Sequence, residues 1–271
     1  MFYQSITRLA VLMMAAAVMV AGCKKDPVDP PIDPTDDYTL IQSGTVDQYE
    51  VEVYAHEDLF VGYNPLYVQV TNTTNNKIEE DLTVMLMPMM DMGTMQHSAP
   101  IEQPGTANAD GLYEGQVVFI MPSGAMGSWT LTVKLDDGDG MKEVDLNVSV
   151  SEKSEARMLT FLGEDAAQEK LFVSLVEPAE WEVGINPFKV TVHKRETMMD
   201  FPAVEDLTVE IEPEMPTMGH GSPNNVDPTH DSRGHYRGEV NFTMTGFWRV
   251  HLTLKRGADM VKDDIYFDIT F

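Results

Sequence analysis

An internal repeat constrains this chain more than any other feature of its sequence. Residues 92–100 read MGTMQHSAP and residues 215–223 read MPTMGHGSP, so both segments fit M-x-T-M-x-H-x-x-P. The segment Gly111–Met121 then matches Gly234–Met244 as G-x-Y-x-G-x-V-x-F-x-M, at the same offset. Self-similarity at a fixed offset is typical of a chain that contains repeated copies of one structural unit.

Short segments of alternating apolar and polar residues follow one another in each copy, separated by Gly, Pro, Asn and Asp, a pattern that predicts β-strands. The first copy has six, near 49–55, 65–71, 81–87, 112–121, 128–135 and 142–150. The second has six, near 170–176, 187–193, 206–212, 235–244, 247–254 and 261–270. No segment has a convincing helical period. We therefore expect an all-β fold of two tandem immunoglobulin-like β-sandwiches.

The two copies predict which side of a strand faces the core, because side chains alternate across a strand. Positions that are apolar in both copies are expected inside: Val84, Leu86, Val209 and Ile211. Positions that are methionine in one copy and glutamate in the other are expected outside: Met85, Met87, Glu210 and Glu212. Further core-facing positions are Tyr113, Val117, Phe119, Met121, Trp129, Leu131 and Val133.

The N-terminal segment indicates export and lipidation. Leu9–Val20 is an apolar run of signal-peptide length, shorter than the ~18–20 apolar residues of a membrane-spanning helix. It ends in VAGC at residues 20–23, which resembles the bacterial lipobox. Cys23 is the only cysteine, so it cannot form an intramolecular disulfide and is expected to be the lipid attachment point. Residues 1–22 are therefore interpreted as a lipoprotein signal peptide.

A Pro/Asp-rich tether is expected over residues 23–37, since such a segment cannot bury enough apolar surface to fold. Its acidic run resembles the surface-export signal of Bacteroidota lipoproteins. The sandwiches are then expected at residues 38–150 and 157–271. This organisation predicts a cell-envelope protein anchored by lipid to the outer or cytoplasmic membrane. The outer membrane is favoured, with the protein facing the periplasm or the cell surface.

Charge and motif content exclude several classes of function. Asp and Glu total 44 against 18 Lys and Arg, for a net charge of −26. Nucleic acids and anionic membrane surfaces are therefore poor partners, because both are bound through clustered Lys and Arg. The sequence contains no G-x-S-x-G and no H-E-x-x-H, and Cys23 is assigned to lipid. We expect no enzymatic activity.

The repeated motif is a candidate site for a soft metal ion. It presents two thioethers and one imidazole within six residues, and these donors suit Cu(I). A methionine at the end of the following repeat segment adds a possible fourth ligand, although Met also serves as a flexible filler of cores. The candidate ligands are Met92, Met95, His97 and Met121 in the first copy and Met215, Met218, His220 and Met244 in the second.

Two other histidines occur only in the second copy. His230 and His235 offer that copy a mixed site for Cu(II), with Asp227 or Asp231 nearby. Surface-loop histidines are the simpler interpretation.

The motif and the segment that follows it together resemble the YtkA-like/FixH-like domain. The resemblance covers residues 82–135 and 207–254. Such domains are small immunoglobulin-like sandwiches of bacterial lipoproteins and envelope proteins, often associated with copper handling or cytochrome oxidase assembly. The resemblance implies that the eight candidate ligands surround the functional pocket. The copies also differ, since the first has two extra residues between Pro88 and Met92 and a longer turn before its tryptophan.

Two functional hypotheses follow from the sequence. The first is a lipid-anchored metal-binding protein that carries or buffers Cu(I) through the Met/His loops and passes it to a copper-accepting or other envelope protein. The alternative is a cell-surface structural, adhesion or assembly lipoprotein, whose Met-rich loops bind a protein partner.

Overall fold

The computed structural model describes residues 34–271. The predicted signal peptide, Cys23 and the tether up to residue 33 lie outside the described residues. All regular secondary structure in the described part is β-strand, which confirms the all-β prediction. Within residues 34–271, no helix is long and apolar enough to cross a membrane.

The first sandwich contains ten strands. In chain order they are β1 (Thr39–Val46), β2 (Tyr49–Ala55), β3 (Gly62–Asn72), β4 (Lys77–Ile78), β5 (Thr83–Asp91), β6 (Gln96–His97), β7 (Ile101–Glu102), β8 (Tyr113–Phe119), β9 (Ser128–Asp136) and β10 (Met141–Val148). The larger sheet has the order β1-β2-β3-β8-β7, with β4 paired to β3. The smaller sheet has the order β10-β9-β5-β6, and all pairs within both sheets are antiparallel.

The second sandwich repeats this plan with nine strands. They are β11 (Met158–Leu162), β12 (Lys170–Glu177), β13 (Gly184–Lys194), β14 (Thr208–Met215), β15 (His220–Gly221), β16 (Val226–Ser232), β17 (His235–Phe242), β18 (Phe247–Arg256) and β19 (Asp259–Thr270). One sheet has the order β11-β12-β13-β17-β16, and the other has the order β15-β14-β18-β19. The strand order is thus the same in both sandwiches, apart from the short β4.

Each sandwich encloses its own hydrophobic core, in which the alternation of the sequence is reproduced as burial. Along β5 and β14 the predicted inward residues are buried: Val84, Leu86, Val209 and Ile211. The predicted outward residues Met85, Met87, Glu210 and Glu212 are half or fully exposed. The strand phase inferred from comparing the copies is therefore confirmed.

The strands that the sequence did not predict lie mainly at sheet edges. Among the strands of residues 34–271, β1 and β11 each pair with one neighbour, and their residues are partly or fully exposed. Edge strands need only a weak apolar pattern, because one side of the backbone and much of the surface remain in water. The two-residue strands, such as β6, are too short to show alternation.

The two sandwiches contact each other through a buried polar cluster. The carboxylate of Glu102 in β7 accepts a hydrogen bond from His235 Nε2 in β17 at 2.5 Å. Its second oxygen lies 3.1 Å from Nη1 of Arg233. The ring of Tyr63 packs edge-on against the His235 imidazole, with centroids 5.7 Å apart. A buried carboxylate is thereby matched with two basic side chains from the other sandwich.

The residues of the second sandwich that match Glu102 and Tyr63 are exposed. Glu102 pairs with Gln116 in β8, and Val226 pairs with the matching residue, Glu239, in β17. Val226 is 50% exposed, whereas Glu102 is buried. Ile185, which matches Tyr63 in the repeat, is 55% exposed, whereas Tyr63 is buried. The burial of this face in the first sandwich therefore reflects its contact with the second.

Burial and charge act on the titratable groups of this contact. Burial lowers the pKa of His193, which lies near Glu102 and His235, to about 4. Burial by itself would raise the pKa of Glu102, but the hydrogen bond from His235 and the nearby positive charges lower it overall. The contact therefore favours an ionised Glu102 and a neutral His193.

The inward and outward positions of β5 predict that substitutions at two neighbouring residues differ in their effect on stability. Leu86→Ala removes a fully buried side chain and should lower the free energy of unfolding of the first sandwich by about 2–5 kcal/mol. Met87→Ala, on the exposed side of the same strand, should change it by less than about 0.5 kcal/mol. Urea unfolding followed by circular dichroism measures both. Equal losses in the two variants would contradict the assigned phase.

The lowered pKa of His193 predicts that the free energy of unfolding falls in acid. Its pKa is lowered from 6.5 to about 4 on folding, so the unfolded chain binds a proton where the folded chain does not. The stability contribution of neutral His193 is complete above about pH 6.5 and is lost as the pH falls towards 4. Between pH 8 and pH 5 we expect a loss of about 2 kcal/mol from this residue.

Denaturant unfolding at the two pH values measures this contribution by difference. A His193→Leu variant cannot bind the proton, so its free energy of unfolding should fall by about 2 kcal/mol less than that of the unsubstituted protein. Parallel losses would show that His193 titrates normally in the folded state.

Candidate functional site

The repeated motif forms a tight hairpin at one end of the smaller sheet in each sandwich. In the first, β5 turns back as β6 and Met90 pairs with His97. In the second, β14 turns back as β15 and Met215 pairs with His220. Each hairpin thus places a methionine of the long strand opposite the motif histidine. Both residues lie at the end of that strand, at the edge of the core.

The ring orientation of His97 is fixed by a local hydrogen bond. Its Nδ1 lies 2.7 Å from the carbonyl oxygen of Ser98. A carbonyl oxygen can only accept, so Nδ1 carries the proton and the neutral ring presents a lone pair at Nε2. His97 is only 3% exposed, and its Nε2 is buried without any hydrogen-bond partner among the described residues. The buried nitrogen is therefore free to act as a ligand.

His220 repeats this arrangement in the second sandwich. Its Nδ1 lies 3.0 Å from the carbonyl oxygen of Gly221, the residue that matches Ser98. The bond again leaves Nε2 as the lone-pair donor. His220 is more exposed than His97 and lines an open depression of about 540 Å³, together with Glu212, Glu214 and His251. The two histidines share their local geometry but differ in access to solvent.

A buried tryptophan connects each histidine to the core. The His97 ring packs edge-on against Trp129, with centroids 5.4 Å apart, and His220 packs likewise against Trp248 at 5.8 Å. Trp129 Nε1 donates to the carbonyl oxygen of Met121 at 2.9 Å. Trp248 Nε1 donates to the carbonyl oxygen of Met244 at the same distance. The indole therefore positions both the imidazole and the segment that carries the fourth candidate ligand.

The candidate methionines have different environments. Met92 and Met121 are partly buried and pack against the first core, whereas Met95 is 51% exposed at the hairpin tip. In the second sandwich Met215 is buried, Met218 is 62% exposed and Met244 is also exposed. The match of Met244 to the core-facing position of Met121 predicts that Met244 also faces the core, and this prediction is wrong. Met244 lies beyond the end of β17 in the short turn before Trp248, so it is not held inward by strand pairing.

Met90 takes the place that the sequence motif assigns to Met92. Met90 and Met215 both lie two residues after a proline, both pair with the motif histidine, and both are buried. The two extra residues of the first copy therefore lie in the hairpin tip, between Met90 and His97. Alignment from Pro88 and Pro213, instead of from the motif, identifies this methionine.

In each sandwich, a glycine packs closely against the methionine that pairs with the histidine. A Cβ added at Gly127 would lie 2.9 Å from Met90 Cε, and one at Gly246 would lie 3.1 Å from Met215 Cε. Both glycines precede the tryptophan by two residues and have positive φ, 149° and 135°. A larger residue would be strained there and would press on the methionine.

The outer face of the long strand differs between the sandwiches. Along β5 the outward residues are Met85, Met87 and Met89, and along β14 the residues in the same positions are Glu210, Glu212 and Glu214. Two of the glutamates have partners, since Glu210 binds Lys255 at 2.6 Å and Glu214 binds His251 Nε2 at 3.1 Å. The outer face of β5 is therefore rich in thioethers, and that of β14 is rich in charge.

Other possible ligands are placed elsewhere. His235, proposed as part of a mixed site, is buried against Glu102 at the contact between the sandwiches. His230 packs against the ring of Tyr236, with its Nε2 3.9 Å from Glu205. In the described range 34–271, no group of three or more His, Cys, Asp or Glu side chains is arranged to hold a metal ion.

Comparison with known proteins identifies one family. Residues 165–253 match the YtkA-like family, which confirms the expected resemblance for most of the second sandwich. A search of curated proteins found no match. A solved structure that is similar to this chain is a chimeric titin Z1Z2-Z1Z2 tandem functionalized with a GRGDS exogenous peptide from fibronectin. It is 12% identical over 76% of this chain and 91% of that chain. Its TM-score is 0.19.

The carbonyl contacts predict one imidazole tautomer in both sandwiches. In the metal-free protein at neutral pH, the uncharged rings of His97 and His220 should carry their proton on Nδ1 and show Nε2 as the unprotonated nitrogen. Long-range ¹H–¹⁵N correlation spectra of the imidazole rings distinguish the tautomers. Histidine-to-glutamine variants assign the signals. A neutral Nε2–H form at His97 would contradict the assigned hydrogen bond.

Proposed function

We propose that this protein is a Cu(I) carrier or buffer of the bacterial cell envelope, with one site at the hairpin of each sandwich. The observation that supports this most directly is the buried Nε2 of His97, which has no hydrogen-bond partner within residues 34–271. Its lone pair is presented by a bond from Nδ1 to a backbone carbonyl, and the same bond recurs at His220.

An unpaired buried nitrogen requires an explanation, because leaving one unsatisfied costs about 1–3 kcal/mol. Binding of a metal ion at Nε2 supplies the missing partner. A second hydrogen bond from the other ring nitrogen to a carbonyl is the arrangement that orients metal-binding histidines. The donor set of each hairpin, imidazole with thioethers, has the chemistry that Cu(I) prefers.

The residues that would hold the ion are a histidine and its neighbouring methionines. In the first sandwich these are His97 with Met90, Met92, Met95 and Met121, and in the second His220 with Met215, Met218 and Met244. Thioethers do not titrate, so they retain a soft ion at low pH. As neutral ligands they are also suited to releasing the ion to a second protein. These properties support carriage and transfer.

The proposed location follows from the N-terminal sequence. Lipidation at Cys23 would anchor the chain to the outer or cytoplasmic membrane, with the tether extending the sandwiches from the lipid. The net charge of −26 favours cations over nucleic acids. A copper-accepting or other envelope protein is the expected partner.

Exposed methionines support a second candidate function, that of an adhesion or assembly module. Several methionines besides the candidate ligands are more than one third exposed: Met87, Met126, Met141, Met199 and Met260. Flexible thioether side chains adapt to varied apolar partners. In this function the Met-rich surface would bind a protein, and the hairpin histidines would be dispensable.

Cu(I) titration separates the two functions. The protein lacking residues 1–23 should withdraw about two equivalents of Cu(I) from a chromophoric chelator under anaerobic conditions. A variant with His97→Gln, Met95→Leu, Met218→Leu and His220→Gln should lose most of this uptake, because each site loses its imidazole and an exposed thioether.

A matched control replaces exposed methionines away from the hairpins, Met141→Leu and Met260→Leu. This variant should retain both equivalents. If the unsubstituted protein and the hairpin variant compete equally weakly with the chelator, the copper function is wrong. Uptake that falls only in the control variant would assign the ion to the general Met-rich surface.

A further inference from the structure

The segment that contains His97 also forms the contacts with the second sandwich. The backbone N–H of Ser98, the residue after His97, donates to the carbonyl oxygen of Met198 in the second sandwich at 2.8 Å. Four residues further on, Glu102 binds His235 and Arg233. Two separate contacts from one sandwich therefore hold a short piece of the other, beginning directly beside the candidate ligand.

The Glu102 contact is the stronger of the two. Its carboxylate is buried, and polar side chains from several strands lie near it. Besides His235 and Arg233, these are His193 in β13, Tyr63 in β3 and Gln116 in β8. With its amide nitrogen turned to the carboxylate, Gln116 lies 3.1 Å from both oxygens of Glu102. Hydrogen bonds to a buried charge stabilise more than neutral ones, so the bonds from His235 and Arg233 of the second sandwich resist separation.

The matching segment of the second sandwich has no such restraint. Gly221, after His220, forms no bond to the first sandwich among the contacts of the described residues, and Val226 is exposed where Glu102 is buried. His220 itself borders an open depression, whereas His97 is buried. The two hairpins therefore share their ligands and differ in whether another domain holds them.

We propose that the second sandwich is a latch on the metal site of the first, and that the Glu102–His235–Arg233 cluster keeps the latch closed. While the sandwiches are docked, the segment from His97 to Glu102 is held at both ends, which slows release of an ion bound at His97. Separation of the sandwiches frees the segment and opens the site. The inference rests on the proposed function, because the ion it retains is the Cu(I) of that site.

The latch makes the two sites kinetically different. The first retains its ion until the sandwiches separate, and the second exchanges its ion directly with solvent or a partner. An acceptor protein that binds the second sandwich at the face that contacts Glu102 would separate the sandwiches. The first site would then release its Cu(I). The chain would then store one ion and exchange the other.

Dissociation kinetics test this in the chain lacking residues 1–23. In a Met218→Leu/His220→Gln background, which leaves the first site, release of Cu(I) to excess chelator should be about tenfold faster with Glu102→Gln than without it. Arg233→Ala, which removes a mostly exposed side chain, should accelerate release to a smaller extent. Glu239→Gln, an exposed carboxylate in β17, is the matched control and should have no effect.

Hydrogen exchange supplies a readout that needs no metal. Amide exchange in residues 96–102 should rise in Glu102→Gln and Arg233→Ala and remain unchanged in the second hairpin. Unchanged release from the first site, in a Glu102→Gln variant that still binds Cu(I), overturns the latch and leaves the proposed function intact. Absence of Cu(I) uptake by the unsubstituted chain overturns the proposed function and the latch together.

Discussion

The indole of a buried tryptophan connects the core of each sandwich to its candidate site. Trp129 packs against Phe119 on one side and against His97 on another, and its N–H binds the backbone at Met121. Trp248 makes the same three contacts with Phe242, His220 and Met244. A large aromatic side chain fixed in a close-packed core cannot shift without cost. The position of the ligand-bearing hairpin is therefore fixed by its contacts with the core.

The strand phase was predictable because two copies of the unit occur in one sequence. At Val84 and Leu86 both copies are apolar, while at Met85 and Met87 one copy has glutamate, and this contrast alone separates the inside from the outside. The all-β architecture followed from the same alternation. Edge strands such as β1 were missed, because a strand that is exposed along much of its length has little apolar periodicity to detect.

The site was less predictable than the fold. The motif located His97 and His220, but short-range spacing gave no indication that His97 would be buried and His220 accessible. Met90 was overlooked because an insertion in the hairpin tip leaves another methionine, Met92, at the motif position. Only the pairing of β5 with β6 shows which of them lies opposite the histidine.

The contact between the sandwiches was beyond sequence reasoning for a different physical reason. Glu102 and His235 are far apart in the chain, and the alternation around His235 predicts its strand but no partner for its side chain. Strand pairing matches Glu102 with Val226, and the repeat matches His235 with Leu112, so comparison of the copies suggests divergence and not a contact. A buried ion pair is specified by the complementarity of two surfaces, which becomes visible only when both are folded.

X-ray absorption at the copper edge, on the chain loaded with Cu(I), tests the central claim most directly. The proposed sites predict a first coordination shell that contains both sulfur and imidazole nitrogen. The imidazole contribution should disappear when His97 and His220 are both replaced by glutamine. A shell of oxygen or nitrogen without sulfur, or an imidazole contribution that persists in the double variant, would contradict the assignment of the hairpins as the copper sites.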